Sequence, residues 1–249
     1  MIILKSDHEI ELMRQAGRIV AEVLTELAAK VKPGISTAQL DNWAAEIIAK
    51  RDAIPTFKGY NGFPAVITTS INEELVHGIP SPKKILKEGD IISIDCGATY
   101  KGWVGDAALT VPVGEISAEA KKLLEVTERA LYVGIEQARV GNRSGDVSAA
   151  IQAFVENHGY SVVRNYTGHG VGRNMHEDPQ VPNYGRKNRG IPLKKGMTIA
   201  LEPMVNMGTP RTRVLNDHWT VVTDDGKLSA HYEHTIAITN GDPLILTQL

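Results

Sequence analysis

Residues 91–111 place two acidic side chains inside a pair of apolar strands. The segment reads IISIDCGATYKGWVGDAALTV, and Tyr100-Lys101-Gly102 can form a turn, so the pattern predicts a β-hairpin. With the turn centred between Tyr100 and Lys101, Asp95 lies opposite Asp106, with Cβ atoms roughly 5 Å apart on one face. Two carboxylates so close in an apolar sheet require a cation or a shared proton. A bound metal ion is the simpler solution.

A second copy of this pattern lies in the later part of the chain. At an offset of 107 residues, LKEGDIISID ending at Asp95 aligns with LKKGMTIALE ending at Glu202. After a longer excursion the chain returns as SAHYEHTIAI, residues 229–238, so Glu233 corresponds to Asp106. The alignment predicts one domain built from two repeated halves, residues 1–112 and 113–249.

The order of predicted elements favours an α+β fold. Each half begins with two amphipathic helices and continues into antiparallel strands. Capping boxes at Ser6-Asp7-His8-Glu9 and at Ser36 with Gln39 mark the first two helices. The third and fourth helices are expected at residues 117–139 and 147–158, and a short strand at residues 65–70.

Composition and charge exclude several classes of protein. The net charge of −2 gives no electrostatic basis for binding nucleic acid or an anionic membrane. The basic run at residues 186–189 is interpreted as a solvated loop, with docking on a ribosome or RNA as the minor alternative.

Cysteine usage and hydropathy point to the cytoplasm. The single cysteine, Cys96, allows no intrachain disulfide and suits a reducing compartment. Because it follows Asp95 in a strand, it should face the opposite side and pack there. No apolar run approaches the ~20 residues that a membrane span needs, and the first residues do not resemble a signal peptide.

Five residues form the candidate metal shell: Asp95, Asp106, His169, Glu202 and Glu233. Four carboxylates and one imidazole suit Mn, Fe(II), Co or Zn, and two divalent ions balance the four negative charges. Such a dinuclear centre supports amide hydrolysis. Each residue alone has a structural interpretation, as a turn former, a salt-bridge partner or a packed histidine. A metal-free protein whose acids pair with Lys or Arg is therefore the alternative.

A loop rich in Gly, Pro, Asn and Thr, residues 53–81, carries candidate pocket residues. Phe57, Tyr60, Phe63 and His77 in this loop indicate a pocket wall, or else a small apolar cluster of the loop itself. His77 and His176 stay outside the proposed metal shell, and loop histidines of this kind also cap or pack.

Several segments closely resemble the type I methionine aminopeptidases of the pita-bread metallopeptidase group. They are SINEELVHGIP, IISIDCGATYKGWVGDAALT, GHGVGRNMHEDPQVPNYG, LEPMVN and YEHTIAIT. The start close to the first helix and the short interval from His169 to Glu202 resemble the short bacterial form. The resemblance implies a pita-bread fold, an antiparallel curved sheet covered by helices in two pseudo-symmetric halves.

The resemblance also implies roles for individual residues. The five shell residues would bind two metal ions, and Glu202 would also handle the proton of the attacking water. His77 and His176 would contact the scissile peptide and stabilise the tetrahedral intermediate. The methionine pocket would be formed by Tyr60, Phe63, Thr68, Met175 and Trp219. Family members commonly have Phe in place of Met175 and Cys in place of Thr68.

The expected function is removal of the initiator methionine from nascent polypeptides whose second residue is small, by a monomeric enzyme, with ribosome association left open. An X-Pro dipeptidase of the same fold is the enzymatic alternative, although those relatives carry an additional N-terminal domain. A non-catalytic binding module of the same fold is the third reading, and such modules typically lose metal ligands.

Overall fold

Two pairs of helices pack against one long antiparallel sheet in the computed structural model, which describes residues 1–249. The helices are α1 (Asp7–Lys30), α2 (Thr37–Lys50), α3 (Ala118–Gln137) and α4 (Ser144–Asn157), with a 3-10 turn at Tyr60–Gly62. The strands are β1 (Ile54–Pro55), β2 (Ile67–Ile71), β3 (Glu74–Val76), β4 (Ile91–Tyr100), β5 (Trp103–Pro112), β6 (Ser161–Val162), β7 (Gly168–Gly170), β8 (Glu177–Val181), β9 (Thr198–Leu201), β10 (Met204–Asn206), β11 (Thr212–Val214), β12 (Val221–Thr223), β13 (Ser229–His231), β14 (Glu233–Ala237) and β15 (Leu244–Ile245). None of the helices combines the length and apolarity needed to cross a membrane.

The main sheet contains nine strands. Its order is β1-β4-β5-β14-β9-β7-β8, with β2 also on β4 and β15 also on β14. Two three-stranded sheets, β13-β10-β6 and β11-β12-β3, flank it. One apolar core joins α1 and α2 to β4, and a second joins α3 and α4 to β9 and β14. The predicted α+β class is confirmed.

Helix ends follow the capping signals of the sequence. Ser6 Oγ accepts from the Glu9 amide while Glu9 Oε2 accepts from the Ser6 amide, which closes the predicted capping box. The fourth helix begins three residues before its predicted start. Its first turn is held because Asp146 Oδ2 accepts from the Arg143 amide at 2.8 Å, a cap that the apolar pattern did not include.

The β4–β5 hairpin forms as predicted, but its register is different. Lys101 and Gly102 occupy the two turn positions with φ of +50° and +76°, as a two-residue hairpin turn requires. Asp95 therefore pairs with Ala108, and Asp106 pairs with Gly97. The expected direct opposition of Asp95 and Asp106 was wrong. The shift is an even number of residues, so the two carboxylates still share one face.

Backbone hydrogen bonds between the loop within each helix pair and the segment before the next strand recur at the 107-residue offset. The Leu86 amide donates to Ile35 O at 2.8 Å, and the Leu193 amide donates to Asn142 O at 2.9 Å. The isolated bridge between Ser36 and Ile85 likewise has its counterpart between Arg143 and Pro192. This recurrence supports our proposal that the chain is one domain of two repeated halves that meet near residues 112 and 113.

Two sequence expectations concern residues away from the acids. Cys96 is buried in the core formed by α1, α2 and β4, on the face opposite Asp95, as the strand alternation predicted. The basic run at residues 186–189 lies in an exposed loop. The amide of Asn188 in that loop donates to Asp146 Oδ1, which agrees with the solvated-loop interpretation.

Helix α1 lies directly on the strand that carries Asp106. A Cβ added at Gly105 would lie 2.6 Å from the Gly17 amide nitrogen, so the two backbones leave no room for a side chain. We expect Gly105→Ala to lower the free energy of unfolding by about 1–3 kcal/mol. Gly241→Ala, at an open position with a 3.9 Å neighbour, should change it by less than about 0.5 kcal/mol. Urea denaturation of the wild type and the two variants measures these changes. Equal unfolding midpoints for the wild type and Gly105→Ala would contradict the close packing.

Candidate metal centre and active site

Three strands of the main sheet arrange the first three acidic side chains. Asp95 of β4 pairs with Ala108 of β5, and Ala108 pairs on its other side with Glu233 of β14. Cross-strand neighbours project to one face, so this row points away from Cys96 and the helices. Asp106 precedes Ala108 by two residues and shares that face.

Strands β9 and β7 add the remaining two residues of the cluster. Ala200 of β9 pairs with His169 of β7, and Glu202 lies two residues after Ala200, just beyond the strand. His169 Nε2 lies 3.6 Å from Asp106 Oδ2 and 3.5 Å from Glu202 Oε1. Ligand atoms of Asp106, His169 and Glu233 all lie within 4.8 Å of one another. The structure thus brings the five predicted metal residues together.

The imidazole of His169 presents a lone pair to this cluster. Its Nδ1 lies 2.8 Å from the carbonyl oxygen of Gly170, which can only accept, so Nδ1 carries the proton. Burial and the neighbouring His176 lower the pKa of His169 to about 4, so the ring is neutral at pH 7. Its unprotonated Nε2 therefore faces two carboxylate oxygens, a repulsive arrangement that a cation between them reverses.

Burial and mutual repulsion keep the four carboxyl groups from ionising freely. Burial and then the charge of Asp106 raise the pKa of Asp95 well above its ordinary value. Burial, followed by Asp106 and Asp95, does the same for Glu202, and Glu233 is raised by burial, Asp106, Glu202 and Asp95. Burial raises the pKa of Asp106 to about 7. A divalent cation would offset both effects.

The donor atoms of the cluster fit a divalent metal ion. Asp95 Oδ1, Asp106 Oδ1 and Glu233 Oε1 are buried and accept no hydrogen bond. Buried oxygens without donors are costly unless a cation coordinates them. Two ligands about 2.1 Å from one ion lie roughly 3–4 Å apart, which matches the separations from His169 Nε2. The arrangement of carboxylates and one imidazole is therefore that of a divalent metal centre.

A cavity of about 170 Å³ opens directly onto this cluster. Every residue predicted for the site lines it. The lining residues are Phe57, Tyr60, Asn61, Phe63, Thr68, His77, Asp95, Asp106, His169, Met175, His176, Glu202, Trp219 and Glu233. The acids and His169 lie at one end, and apolar side chains form the other walls, so the cavity has a charged floor and an apolar side.

The apolar side is a separate small cluster of the loop region. Phe63 meets Trp219 edge-to-face, with ring centroids 5.1 Å apart, and Met175 packs in the same buried group. Thr68 pairs with Asp95 between β2 and β4, which sets this wall directly beside the acids. The loop of residues 53–81 therefore contributes a pocket wall, as one of its two interpretations predicted.

Two further histidines line the cavity at different places. His176 Nδ1 shares a hydrogen bond with the Tyr60 hydroxyl, 2.8 Å away. The ring centroids of His176 and His169 are 4.3 Å apart. His77 has φ of +61°, and a Cβ on the following Gly78 would lie 2.1 Å from Thr69 O. Burial and then His176 lower the pKa of His77 to about 4, and burial lowers that of His176. Both rings are neutral at pH 7.

The sequence interpretation missed two residues of this region. Asn61 lies at the exposed rim of the cavity in the 3-10 turn. His231 is buried behind the acids, with Nε2 unpaired and 4.0 and 3.9 Å from Glu202 Oε2 and Glu233 Oε2. Its position two residues before Glu233 places it near that side chain by strand alternation, a signal available in SAHYEH.

Comparison with known proteins agrees with this centre. The model of metallopeptidase family M24 matches residues 11–240. The chain belongs to metallopeptidase family M24. It is 58% identical to a methionine aminopeptidase of Clostridium acetobutylicum over 99% of both chains, and 57% identical to methionine aminopeptidase 1 of Bacillus subtilis over 100% of both. The resemblance drawn from the sequence segments is confirmed.

Solved structures of this family have the same architecture. A methionine aminopeptidase of Thermotoga maritima superposes with a TM-score of 0.99, at 48% identity and over 100% of both chains. A prolidase of Pyrococcus furiosus has a TM-score of 0.80 at 22% identity, and this chain spans 66% of that chain. The second likeness concerns the fold alone. The predicted pita-bread fold is confirmed.

Removal of divalent ions should destabilise the protein, and the loss should increase with pH. At pH 7.5 we expect a strong chelator to lower Tm by at least about 5 °C, because the buried acids then lack a counter-charge. The pKa of Asp106 in the ion-free protein is raised to about 7, so folding retains its proton between pH ~4 and 7. Stability of the stripped protein therefore falls as the pH rises through that window.

Calorimetry at pH 5 and 7.5, with and without chelator, measures this difference. The difference in Tm between the metal-loaded and the stripped protein should be larger at pH 7.5. Asp106→Asn should reduce the pH dependence of Tm in the stripped protein. A Tm that is indifferent to the chelator at both pH values would favour the alternative of acids paired within the protein.

Proposed function

We propose that this chain is a methionine aminopeptidase that removes the N-terminal methionine of nascent polypeptides whose second residue is small. The observation that carries the proposal is the junction of an acidic, divalent-metal centre with an apolar pocket in one cavity. Full-length identities of 55–58% to methionine aminopeptidases support it. We also propose that the chain acts as a monomer.

Asp95, Asp106, His169, Glu202 and Glu233 would hold two divalent ions, whose charge balances the four carboxylates. When bound, such ions lower the pKa of a water molecule and polarise a carbonyl oxygen. Cobalt, manganese, iron(II) and zinc all match these donors. Asp95 and Asp106 come from one hairpin and Glu233 from the adjoining strand, so the ligands are held on rigid sheet.

The protein side chains divide the remaining work. Glu202 holds and delivers the proton exchanged between water and the leaving amine, since its carboxylate lies at the cavity surface. His77 and His176 contact the scissile peptide. Their neutral rings donate hydrogen bonds to the oxygen that becomes negative in the tetrahedral intermediate. The Tyr60 hydroxyl, 2.8 Å from His176 Nδ1, orients that ring.

Selection of methionine would come from the apolar side of the cavity. Phe63, Trp219 and Met175 are packed together and enclose a space suited to one unbranched side chain. Met175 is a flexible wall, so the pocket can adapt to the thioether of the substrate. Thr68 places a small polar side chain between this pocket and Asp95. We expect the limited volume of the cavity, about 170 Å³, to disfavour a bulky second residue.

Release of free methionine from Met-Gly-Met-Met tests the proposal. We expect the metal-loaded protein to release it, and Glu202→Ala to lower kcat at least about 10²-fold, because the proton acceptor is lost. Glu46→Ala, which alters an exposed glutamate on α2, should retain the wild-type rate. An active Glu202→Ala protein with normal metal content would reject the role of Glu202, and an inactive wild type would reject the activity.

Substrate choice separates this enzyme from its alternatives. The free α-amine of the substrate would lie at or near the metal centre, and a formyl group blocks it, so formyl-Met-Gly-Met-Met should be cleaved at least about 10²-fold more slowly than the free peptide. Xaa-Pro dipeptides should be poor substrates beside Met-Gly-Met. Preferential cleavage of Xaa-Pro would favour a prolidase, and metal binding without cleavage of any peptide would favour a binding module.

A further inference from the structure

A buried ion pair lies outside the metal centre, between Lys5 near the start of the chain and Glu177, the first residue of β8. Lys5 Nζ is 2.6 Å from Glu177 Oε2, and their side chains are 2% and 7% exposed. In every other pair of a Lys or Arg with an acid, at least one side chain is more accessible. A buried pair contributes little net stability by itself, so its position matters more than its energy.

Glu177 connects this pair to the backbone of the preceding turn. Its second oxygen, Oε1, accepts from the amides of Arg173 at 2.9 Å and Asn174 at 3.2 Å. Successive amides that converge on one anion form a nest and fix the local backbone. At Gly172 an added Cβ would lie 2.6 Å from Glu177 Oε1 and 2.7 Å from Lys5 Cε. The turn therefore packs directly on the ion pair.

Both ends of the connection are held by rigid elements. The Lys5 amide donates to Gly196 O at 2.7 Å, and the next residue, Ser6, caps α1. Gly172 O accepts from the Val104 amide of β5 at 2.8 Å. The Lys5 ammonium thus reaches Glu177 from a fixed point, and the turn is fixed against the strand that carries Asp106.

The turn leads directly into two residues of the cavity. Met175 forms part of its apolar wall, and His176 stands beside His169. We propose that Lys5 and Glu177 are positioning residues, whose buried ion pair sets the placement of residues 172–176 and thereby aligns Met175 and His176 with the substrate. The inference rests on the proposed function for its catalytic consequence, but not for the placement of the turn.

Two single variants and their double variant test the contribution of each charge of the pair. Lys5→Met keeps the length of the side chain and removes the cation, while Glu177→Gln keeps an oxygen for the two amides and removes the anion. The double variant leaves no unpaired charge in the interior, so it folds even where one single variant is unstable. Lys195→Met breaks an exposed pair with Asp7 and serves as the control, because Lys195 adjoins the Gly196 that holds Lys5.

Two measurements on metal-loaded protein, at a temperature far below Tm, test the placement. Hydrogen exchange at the Arg173 and Asn174 amides should accelerate at least about tenfold in Lys5→Met, with exchange in α3 unchanged. The kcat/KM for Met-Gly-Met-Met should fall at least about tenfold in each single variant, with unchanged metal content. The kcat/KM of the double variant should fall no further than that of the more impaired single variant, because both changes break the same connection.

The outcomes distinguish the inference from simple stabilisation. A lower Tm with normal exchange at Arg173 and Asn174 and normal kcat/KM overturns the inference, because the pair then only stabilises the fold. If the two single-variant losses of kcat/KM add in the double variant, the inference is also overturned. A wild type that releases no methionine would overturn the proposed function instead, and amide exchange would still decide whether the pair holds the turn.

Discussion

The repulsion among four buried carboxyl groups is the constraint on which the rest of this structure depends. Asp95, Asp106, Glu202 and Glu233 face one another with the lone pair of His169, and three of their oxygens have no hydrogen-bond donor. Such a cluster cannot be held by its own contacts. The antiparallel sheet holds the acids in place, because three of them lie in strands and Glu202 directly follows β9, and the backbone hydrogen bonds and apolar opposite faces of these strands resist separation.

The proposed duplication accounts for how one chain supplies these ligands. In each proposed half the loop between the two helices is joined to the segment before the next strand by the same backbone hydrogen bond, at the same offset along the chain. The halves join where β5 pairs with β14, so Asp106 and Glu233 meet at the seam. Asp95, on β4, lies beyond Asp106 in the strand order, and Glu202, directly after β9, lies beyond Glu233. The metal centre therefore forms between the halves, and neither half contains it alone.

Selectivity depends on segments that the sheet does not support directly. The loop of residues 53–81 supplies the aromatic wall, and the turn before β8 supplies Met175 and His176. Loops can carry function when rigid elements fix their ends. Here a backbone hydrogen bond from the Thr69 amide to Gly78 O holds the chain beside His77, and the buried pair of Lys5 with Glu177 holds the turn before β8.

The sequence by itself determined the four helices and the central hairpin, and it supplied the predictions of the repeat and of the metal ligands. Capping boxes, alternation around Asp95 and Cys96, and carboxylates in apolar strands are local signals, because each follows from the preferences of neighbouring residues. The structure decided the hairpin register, because Lys101 and Gly102 take the two positive-φ turn positions in place of Tyr100 and Lys101. It also decided the placement of His231 beside Glu202 and of Lys5 beside Glu177. Contacts between residues so distant in sequence depend on how elements pack, which no local pattern encodes.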